Sequence, residues 1–191
     1  MENQVLLKKK KKSIEKKFDT NIKINKEKLL TDFPELSKNG ATFITLTLDN
    51  QLRGCIGTLQ AYRPLFDDLI SNSNAAAFED PRFYELTSDE FKKVKIEISI
   101  LSTPVEVIYA DIEDLKSKIK ANIHGVILQK DGRRSTFLPQ VWEQLPTFEE
   151  FFSRLCYKGS FEENCLDFHP QIFTYEVNKI KPDSLYSAIQ N

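Results

Sequence analysis

The chain has 191 residues, 40% of them hydrophobic and 29% charged, the composition of an ordinary globular protein, for which disorder is not the default reading and one sizeable core or two fused small ones are allowed. No uncharged apolar stretch approaches the roughly 18 to 20 residues of a membrane-spanning helix. Val5-Leu6-Leu7 runs directly into five lysines, Lys8 to Lys12, where a secretory signal would need an apolar core of about 7 to 15 residues.

Three cysteines, Cys55, Cys156 and Cys165, are few and odd in number. That is poor material for a disulfide framework and suits a reducing compartment, so a cytoplasmic protein with no membrane association is expected. The net charge of -1 conceals an asymmetry: residues 1–30 carry ten lysines against four acids, while the rest carries 17 basic and 24 acidic groups. Clustered lysines gain from counterion release on nucleic acid. With no arginine or aromatic residue interleaved among Lys8 to Lys12, the simpler reading is a solvated helix face.

Residues 3–18 read as a helix, with Leu7, Ile14 and Phe18 on one stripe and Lys10 and Lys11 close to it. A polar connection then leads past Pro34 to Thr42–Leu48, where Ile44, Leu46 and Leu48 alternate with threonines as in a half-buried strand. Asp49-Asn50-Gln51 is turn material, which makes Leu52–Thr58 the second arm of a hairpin. Gly54 and Gly57 weaken that arm and mark either a bulge or a close approach of a ligand to the backbone. Pro64 opens a helix of Leu65, Phe66, Leu69, Ile70, Ala76 and Ala77 that stops at Asp80-Pro81.

Val94, Ile96, Ile98 and Ile100 alternate with Lys95, Glu97 and Ser99, the plainest strand pattern in the chain. A short strand through Val105 and Val107 follows, then a helix over Ile112–Ile119. Val126–Leu128 and Thr136–Leu138 flank the turn pair Asp131-Gly132, with a loop longer than two residues. Helical stretches lie around Trp142 and over Thr147–Cys156, where Thr147 and Glu150 have capping-box spacing. Phe173, Tyr175 and Val177 alternate in a last strand. Hairpins interspersed with helices indicate an α+β fold with antiparallel or mixed sheets and flanking helices, not a doubly wound parallel sheet.

Cys55 is the first chemical candidate, because a cysteine between glycines has little side-chain cover and could act as a nucleophile if a neighbouring base or positive charge favours the thiolate. Arg53 and Arg82 could supply the charge and His124 the base. The alternative is a small side chain buried on a central strand. Cys156, Cys165 and His169 have a ligand-compatible spacing but lack the paired half of a zinc site, so no metal is expected; burial accounts for Cys156, and His169 reads as a loop residue. Asn74, Asp80, Glu97, Arg133, Arg134 and Gln140 are further polar residues at element ends. Arg82 has a local partner in Asp80, Glu97 interrupts an apolar strand on its exposed or cleft-facing side, and Arg133 and Arg134 sit at a hairpin tip. No phosphate loop, serine elbow or His-Glu-x-x-His motif is present.

Gly40-Ala41-Thr42-Phe43, Leu52-Arg53-Gly54-Cys55-Ile56-Gly57, Asn74-Ala75-Ala76-Ala77 and Asp80-Pro81-Arg82-Phe83 are followed in order by Glu97-Ile98-Ser99-Ile100-Leu101-Ser102, His124-Gly125-Val126 and Phe137-Leu138-Pro139-Gln140-Val141-Trp142. Together these segments resemble the AMMECR-type domain family, found in bacteria as protein A of the AmmeMemoRadiSam system, over about residues 1–180. The resemblance implies a single domain over residues 1–185, in two closely fused lobes with both termini in the larger, and a tail at 186–191. It implies a cleft lined by Arg53, Cys55, Asn74, Asp80, Arg82, Glu97, His124 and Gln140, with Gly54 and Gly57 letting a substrate approach.

The function so implied is an enzyme or enzyme component with a cysteine-centred cleft and no cofactor. It would act on RNA or a small molecule in the company of Memo-type and radical S-adenosylmethionine proteins. The alternative is a non-catalytic binding or scaffold subunit for a protein or nucleic-acid partner. The chain departs from the family pattern at Lys158-Gly159-Ser160, where Lys-Ala-Gly is usual, and lacks a tryptophan further on.

Overall fold

The computed structural model describes residues 2–162 and 164–180; the tail expected at 186–191 lies outside them. Two units emerge, one built from the chain up to Leu101 together with the return segment from Asn178, the other from Ser102–Val177. Both contain antiparallel sheets and helices, the α+β class expected from the hairpin pattern.

In the first unit helix α1 (Glu2–Glu15) is followed by a short helix α2 (Lys26–Asp32), which occupies what reads in the sequence as a polar connection. Strand β1 (Asn39–Leu48) pairs with β2 (Gln51–Gly57) through a two-residue turn, in which Asp49 and Asn50 both take positive φ. That is the twist-compatible hairpin turn, and Asn and Asp tolerate it better than most residues. A two-residue strand β3 (Arg63–Pro64) touches the start of β1 and leads into helix α3 (Leu65–Phe78); α4 (Ser88–Phe91) and β4 (Lys95–Leu101) complete the run. The sheet order is β2-β1-β4-β9, with β9 (Val177–Ile180) returning from the far end of the chain.

One face of this sheet is the core. Ile44, Leu46, Ile96 and Ile98 are buried against Phe66, Leu69, Ala76 and Ala77 of α3, as the alternation of β1 and β4 requires. Gly54 belongs to that face. A Cβ there would stand 2.1 Å from the Ala76 carbonyl oxygen, so the missing side chain is what lets α3 lie against β2. The β1–β2 register also shifts between Leu46 and Thr47, opposite this glycine, so the strand carries a bulge there too. Because the clash is with backbone, Gly54→Ala should cost about 1–3 kcal/mol or more through overpacking. Chemical unfolding of the variant, compared with the exposed-site control Gln60→Ala, checks this; a loss indistinguishable from that control would show that α3 yields.

Helix α1 ends at Glu15, three residues earlier than its apolar stripe suggests; Phe18 lies beyond it, its ring against Phe78 and Phe91. The buried stripe runs through Leu6, Lys10, Ser13 and Ile14. The solvated-face reading of the lysine run therefore fails at Lys10, which is 2% exposed and donates through Nζ to the Ile96 carbonyl. Burial pushes its ammonium down to about 7, against the opposing pull of Glu97. An amine whose folded pKa is depressed penalises folding in full where both states are protonated, and the penalty falls once the folded amine gives up its proton ahead of the unfolded one. The penalty is full below about pH 7 and fades as the pH rises towards 10.5. Thermal midpoints should accordingly rise over that window relative to Lys10→Met, which removes the titration; parallel curves would contradict the assignment.

The second unit is a sheet of order β5-β8-β6-β7, all antiparallel, formed by β5 (Val105–Val107), β6 (Gly125–Lys130), β7 (Arg133–Phe137) and β8 (Gln171–Tyr175). Helices α5 (Ile112–Lys118) and α6 (Phe148–Lys158) accompany it. Its core gathers Leu115, Val126, Leu128, Phe151, Phe152, Leu155 and Ile172 around Trp142, whose indole stacks on Phe151 at 3.7 Å.

Three sequence expectations change in this unit. The β6–β7 hairpin has a two-residue loop, Asp131-Gly132, because the strands extend through the polar residues Gln129, Lys130, Arg133 and Arg134. The alternating segment ending at Val177 is two strands: β8 ends at Tyr175 and β9 begins at Val177, in different sheets. Cys156 and Cys165 form a disulfide, with Cα atoms 6.0 Å apart. The premise that three cysteines argue against a disulfide therefore fails, as does the Cys156, Cys165 and His169 metal alternative. His169 takes a left-handed turn and stacks on Tyr109.

Candidate functional site

Since Gly54 faces α3, the pleat sends Cys55 to the opposite face of the sheet. There it forms a row across three strands: Cys55 is the cross-strand partner of Thr45, and Thr45 of Glu97. The Cys55 sulfur lies 3.5 Å from the Thr45 hydroxyl and is half-buried, so it is neither sealed in hydrocarbon nor fully open. In the neighbouring row, Gly57 lies opposite Phe43, whose ring occupies the space that a Gly57 side chain would need.

β2 is an edge strand, and the loop after α3 closes its edge at Cys55. The Asp80 carboxylate accepts the Cys55 backbone N–H at 2.8 Å, and Arg82 Nη2 donates to the Cys55 carbonyl at 3.1 Å. Asp80 and Arg82 are joined by two further side-chain bonds, Nε to Oδ1 at 2.9 Å and Nη2 to Oδ2 at 2.7 Å. The pair thus mimics a neighbouring strand and satisfies both outward backbone groups of Cys55, which would otherwise be open to pairing. Hydrogen bonding from Arg82, helped by the Cys55 and Arg82 amides, holds the Asp80 carboxyl well below the usual carboxylate range despite its burial. The Arg82 side chain is 53% exposed, and its Nη1 has no hydrogen-bond acceptor among the described residues.

Arg53 is engaged differently. Its guanidinium meets Glu90 in a two-pronged bond of 2.7 and 3.0 Å and reaches the Glu85 carbonyl, with its side chain only 13% exposed. Arg53 and the Thr87 cap hold Glu90 down to about 2. Phe83 lies between the two arginines, its ring centre 5.8 Å from the Arg53 guanidinium carbon and 5.5 Å from that of Arg82. Of the two arginines expected to favour an anion, Arg82 is the more open to solvent, with 53% of its side chain exposed against 13% for Arg53.

Asn74 is tied to α1, where its Oδ1 accepts the Ser13 hydroxyl at 2.9 Å. His124 and Gln140 belong to the second unit. Nδ1 of His124 accepts the Lys120 N–H at 3.2 Å, and its carbonyl accepts the Trp142 indole N–H at 2.9 Å. Burial lowers the His124 pKa, partly offset by Glu176, so the neutral imidazole with its proton on Nε2 is favoured. Gly125 makes room for Tyr175, whose ring would lie 2.4 Å from an added Cβ. Gln140 is exposed on the short helical turn Pro139–Glu143. Arg134 is exposed, while Arg133 donates to the Ser160 carbonyl and lies over Phe161. At the departure from the family pattern, Ser160 has φ +57, a conformation glycine adopts more readily.

A group absent from the sequence reading also emerges. Asp68 and Asn72, one turn apart on α3, are buried and bind Thr42, Thr58 and Arg63. Their signal was a polar pair at i and i+4 beside Leu69 and Ala76, on the helix face that packs inward.

Fold and site define an α+β protein whose edge strand presents a half-buried thiol beside a clamped Asp–Arg pair. A profile of the AMMECR1 family matches residues 7–180, and the chain belongs to that family. Protein NEQ441 of Nanoarchaeum equitans is 36% identical over 152 residues, covering 76% of this chain and 82% of that protein. Protein LS215_2104 of Saccharolobus islandicus is 38% identical over 142 residues, 69% of this chain but 61% of that longer protein. The crystal structure of the uncharacterised protein PH0010 from Pyrococcus horikoshii superposes with a TM-score of 0.74 at 28% identity, covering 92% of this chain and 88% of that one. No helix among the described residues is long and apolar enough to cross a membrane.

Proposed function

We propose that the chain is an enzyme or enzyme component that uses the Cys55 thiol on an anionic substrate, with Arg82 as the anion's anchor. The observation that carries this reading is the pairing of a half-buried thiol with a guanidinium whose Nη1 is turned to solvent, both fixed to the same strand edge. Both arginines are paired with carboxylates, Arg53 with Glu90 and Arg82 with Asp80; Arg53, little exposed, positions Phe83 and the loop, and the more exposed Arg82 is left to meet the anion. Thr45 and Glu97 complete the row and supply a hydroxyl and a carboxylate on the thiol's side of the sheet. An RNA or small-molecule substrate, and the company of Memo-type and radical S-adenosylmethionine proteins, belong to this proposal through the family resemblance.

Cys55 is the free thiol among the described residues, so one alkyl adduct by intact mass reports on it directly. Iodoacetate, an anion, and iodoacetamide, its neutral counterpart, are compared on wild type and Arg82→Gln. The arginine is expected to favour iodoacetate, and its loss to reduce the iodoacetate-to-iodoacetamide rate ratio by several-fold to about tenfold, as one unit charge near 4 Å allows in a partly aqueous setting. A thiol inert until denaturant is added, or an unchanged ratio, favours the non-catalytic binding subunit.

A further inference from the structure

The lysines near the start of the chain divide into two sets. Lys10 binds the Ile96 carbonyl, Lys11 lies over the Phe91 ring, Lys17 over Phe78, and Lys26 pairs with Asp67. The side-chain ammonium groups of Lys8, Lys9, Lys12 and Lys28 take part in no ion pair, hydrogen bond or ring contact among the described residues. These four line one groove between α1 and α2, with a volume of about 370 Å³. Its floor is apolar: Leu29 is buried, and Val5 and Phe33 are half-buried against the core of the first unit. Among the described residues, Asp32 is the single carboxylate on its wall.

A concave apolar strip rimmed by four unpaired ammonium groups is unfavourable when empty. The like charges repel, and Lys9 shows the effect, its pKa lowered by burial and by the charge of Lys12. A ligand that relieves both features needs negative charge at the rim and hydrocarbon at the floor. Lysines are flexible point charges that lack the planar fork of arginine, so the groove is not built for bidentate phosphate recognition. Among the described residues its one aromatic, Phe33, is packed into the floor, so none of them offers a ring ready to stack a nucleobase. Carboxylates spaced along a peptide with intervening apolar side chains match the groove instead, in the manner of amphipathic segments laid into helical grooves.

We propose that the α1–α2 groove is a docking site for an acidic, amphipathic peptide segment of a partner protein. Apolar side chains seat on Val5, Leu29 and Phe33, and carboxylates pair with Lys8, Lys9, Lys12 and Lys28. This surface lies on α1 and α2, away from the Cys55 strand in sequence, and the proposal stands or falls independently of the thiol.

The test uses the full chain and a fluorescein-labelled peptide of about twelve residues repeating Glu-Glu-Leu-Leu, titrated by fluorescence anisotropy. Saturable binding is expected, weakening several-fold as salt rises from about 50 to 200 mM. The triple variant Lys8→Glu, Lys12→Glu, Lys28→Glu should lose about tenfold or more, while Lys16→Glu, Lys23→Glu, Lys38→Glu, with the same change in net charge on exposed positions, should lose much less. Thermal melting confirms that both variants fold. Replacing the peptide leucines by serine should also weaken binding. No saturation up to about 1 mM, equal losses in the two triple variants, or indifference to the leucines would overturn the proposal. Tighter binding of an oligouridylate of similar length at the same lysines would overturn it in favour of nucleic acid.

Discussion

Asp68→Ala is expected to remove about 3–5 kcal/mol of folding stability, the usual cost of breaking a buried charged network by deleting one partner. The Asp68 side chain is fully buried. One of its oxygens accepts the Thr42 amide and hydroxyl, both at 2.7 Å, and the Asn72 side chain at 2.9 Å. The other accepts the Thr58 hydroxyl at 2.7 Å and Arg63 Nε at 2.8 Å. The Asn72 amide keeps Thr42 and Thr58 as acceptors, but deleting the carboxylate orphans donors on β1 and on the segment after β2, and most of these cannot turn to water. Arg63 is the exception, with a quarter of its side chain exposed, so its share of the loss is the part that solvent recovers. Urea unfolding should show a lowered midpoint with little change in slope. A cost under about 1 kcal/mol would mean that the five bonds are replaceable and that apolar packing alone seats α3.

That network shows where sequence reasoning stops. Alternation located β1 and β4 because their buried residues differ in kind from their exposed ones, whereas the face that Cys55 takes became clear only once Gly54 was seen to lie against α3. The Asp49-Asn50 turn was legible from residue type, since few side chains accept positive φ. Asp68, Asn72 and Lys10 were not, because polarity is ordinarily a sign of exposure and their burial depends on partners distant in sequence: Thr42 for the first pair, the Ile96 carbonyl for the third. The Cys156–Cys165 bond was hidden for a related reason. A count of three thiols says nothing about which two the turn after α6 brings together. At the candidate site, the Asp80–Arg82 pairing was readable from proximity in sequence, whereas its clamp on the Cys55 backbone depends on where that loop docks. The Arg53–Glu90 bond, spanning 37 residues, also had no local signal.

The clamp leads to the second large effect. Asp80→Asn keeps the shape but loses the charge that binds Arg82 and the Cys55 amide together, and charge-assisted bonds of this kind contribute about 1.5–3 kcal/mol. The half-exposed guanidinium recovers part of that from water, so most of the loss falls on the buried side, at the Cys55 N–H. The pH dependence separates charge from shape. A carboxyl whose folded pKa lies below its unfolded value contributes stability that is complete above the unfolded value, near 3.9, and is lost as the pH falls through the folded one. Wild type should therefore shed stability on acidification below about pH 4 more steeply than Asp80→Asn, and the two curves should converge in acid. Glu90, also held low, contributes to both proteins alike, so the difference between them isolates Asp80. Parallel curves would mean that Asp80 titrates alike in the folded and unfolded chain, so that its charge adds no stability and the clamp holds Cys55 by shape alone.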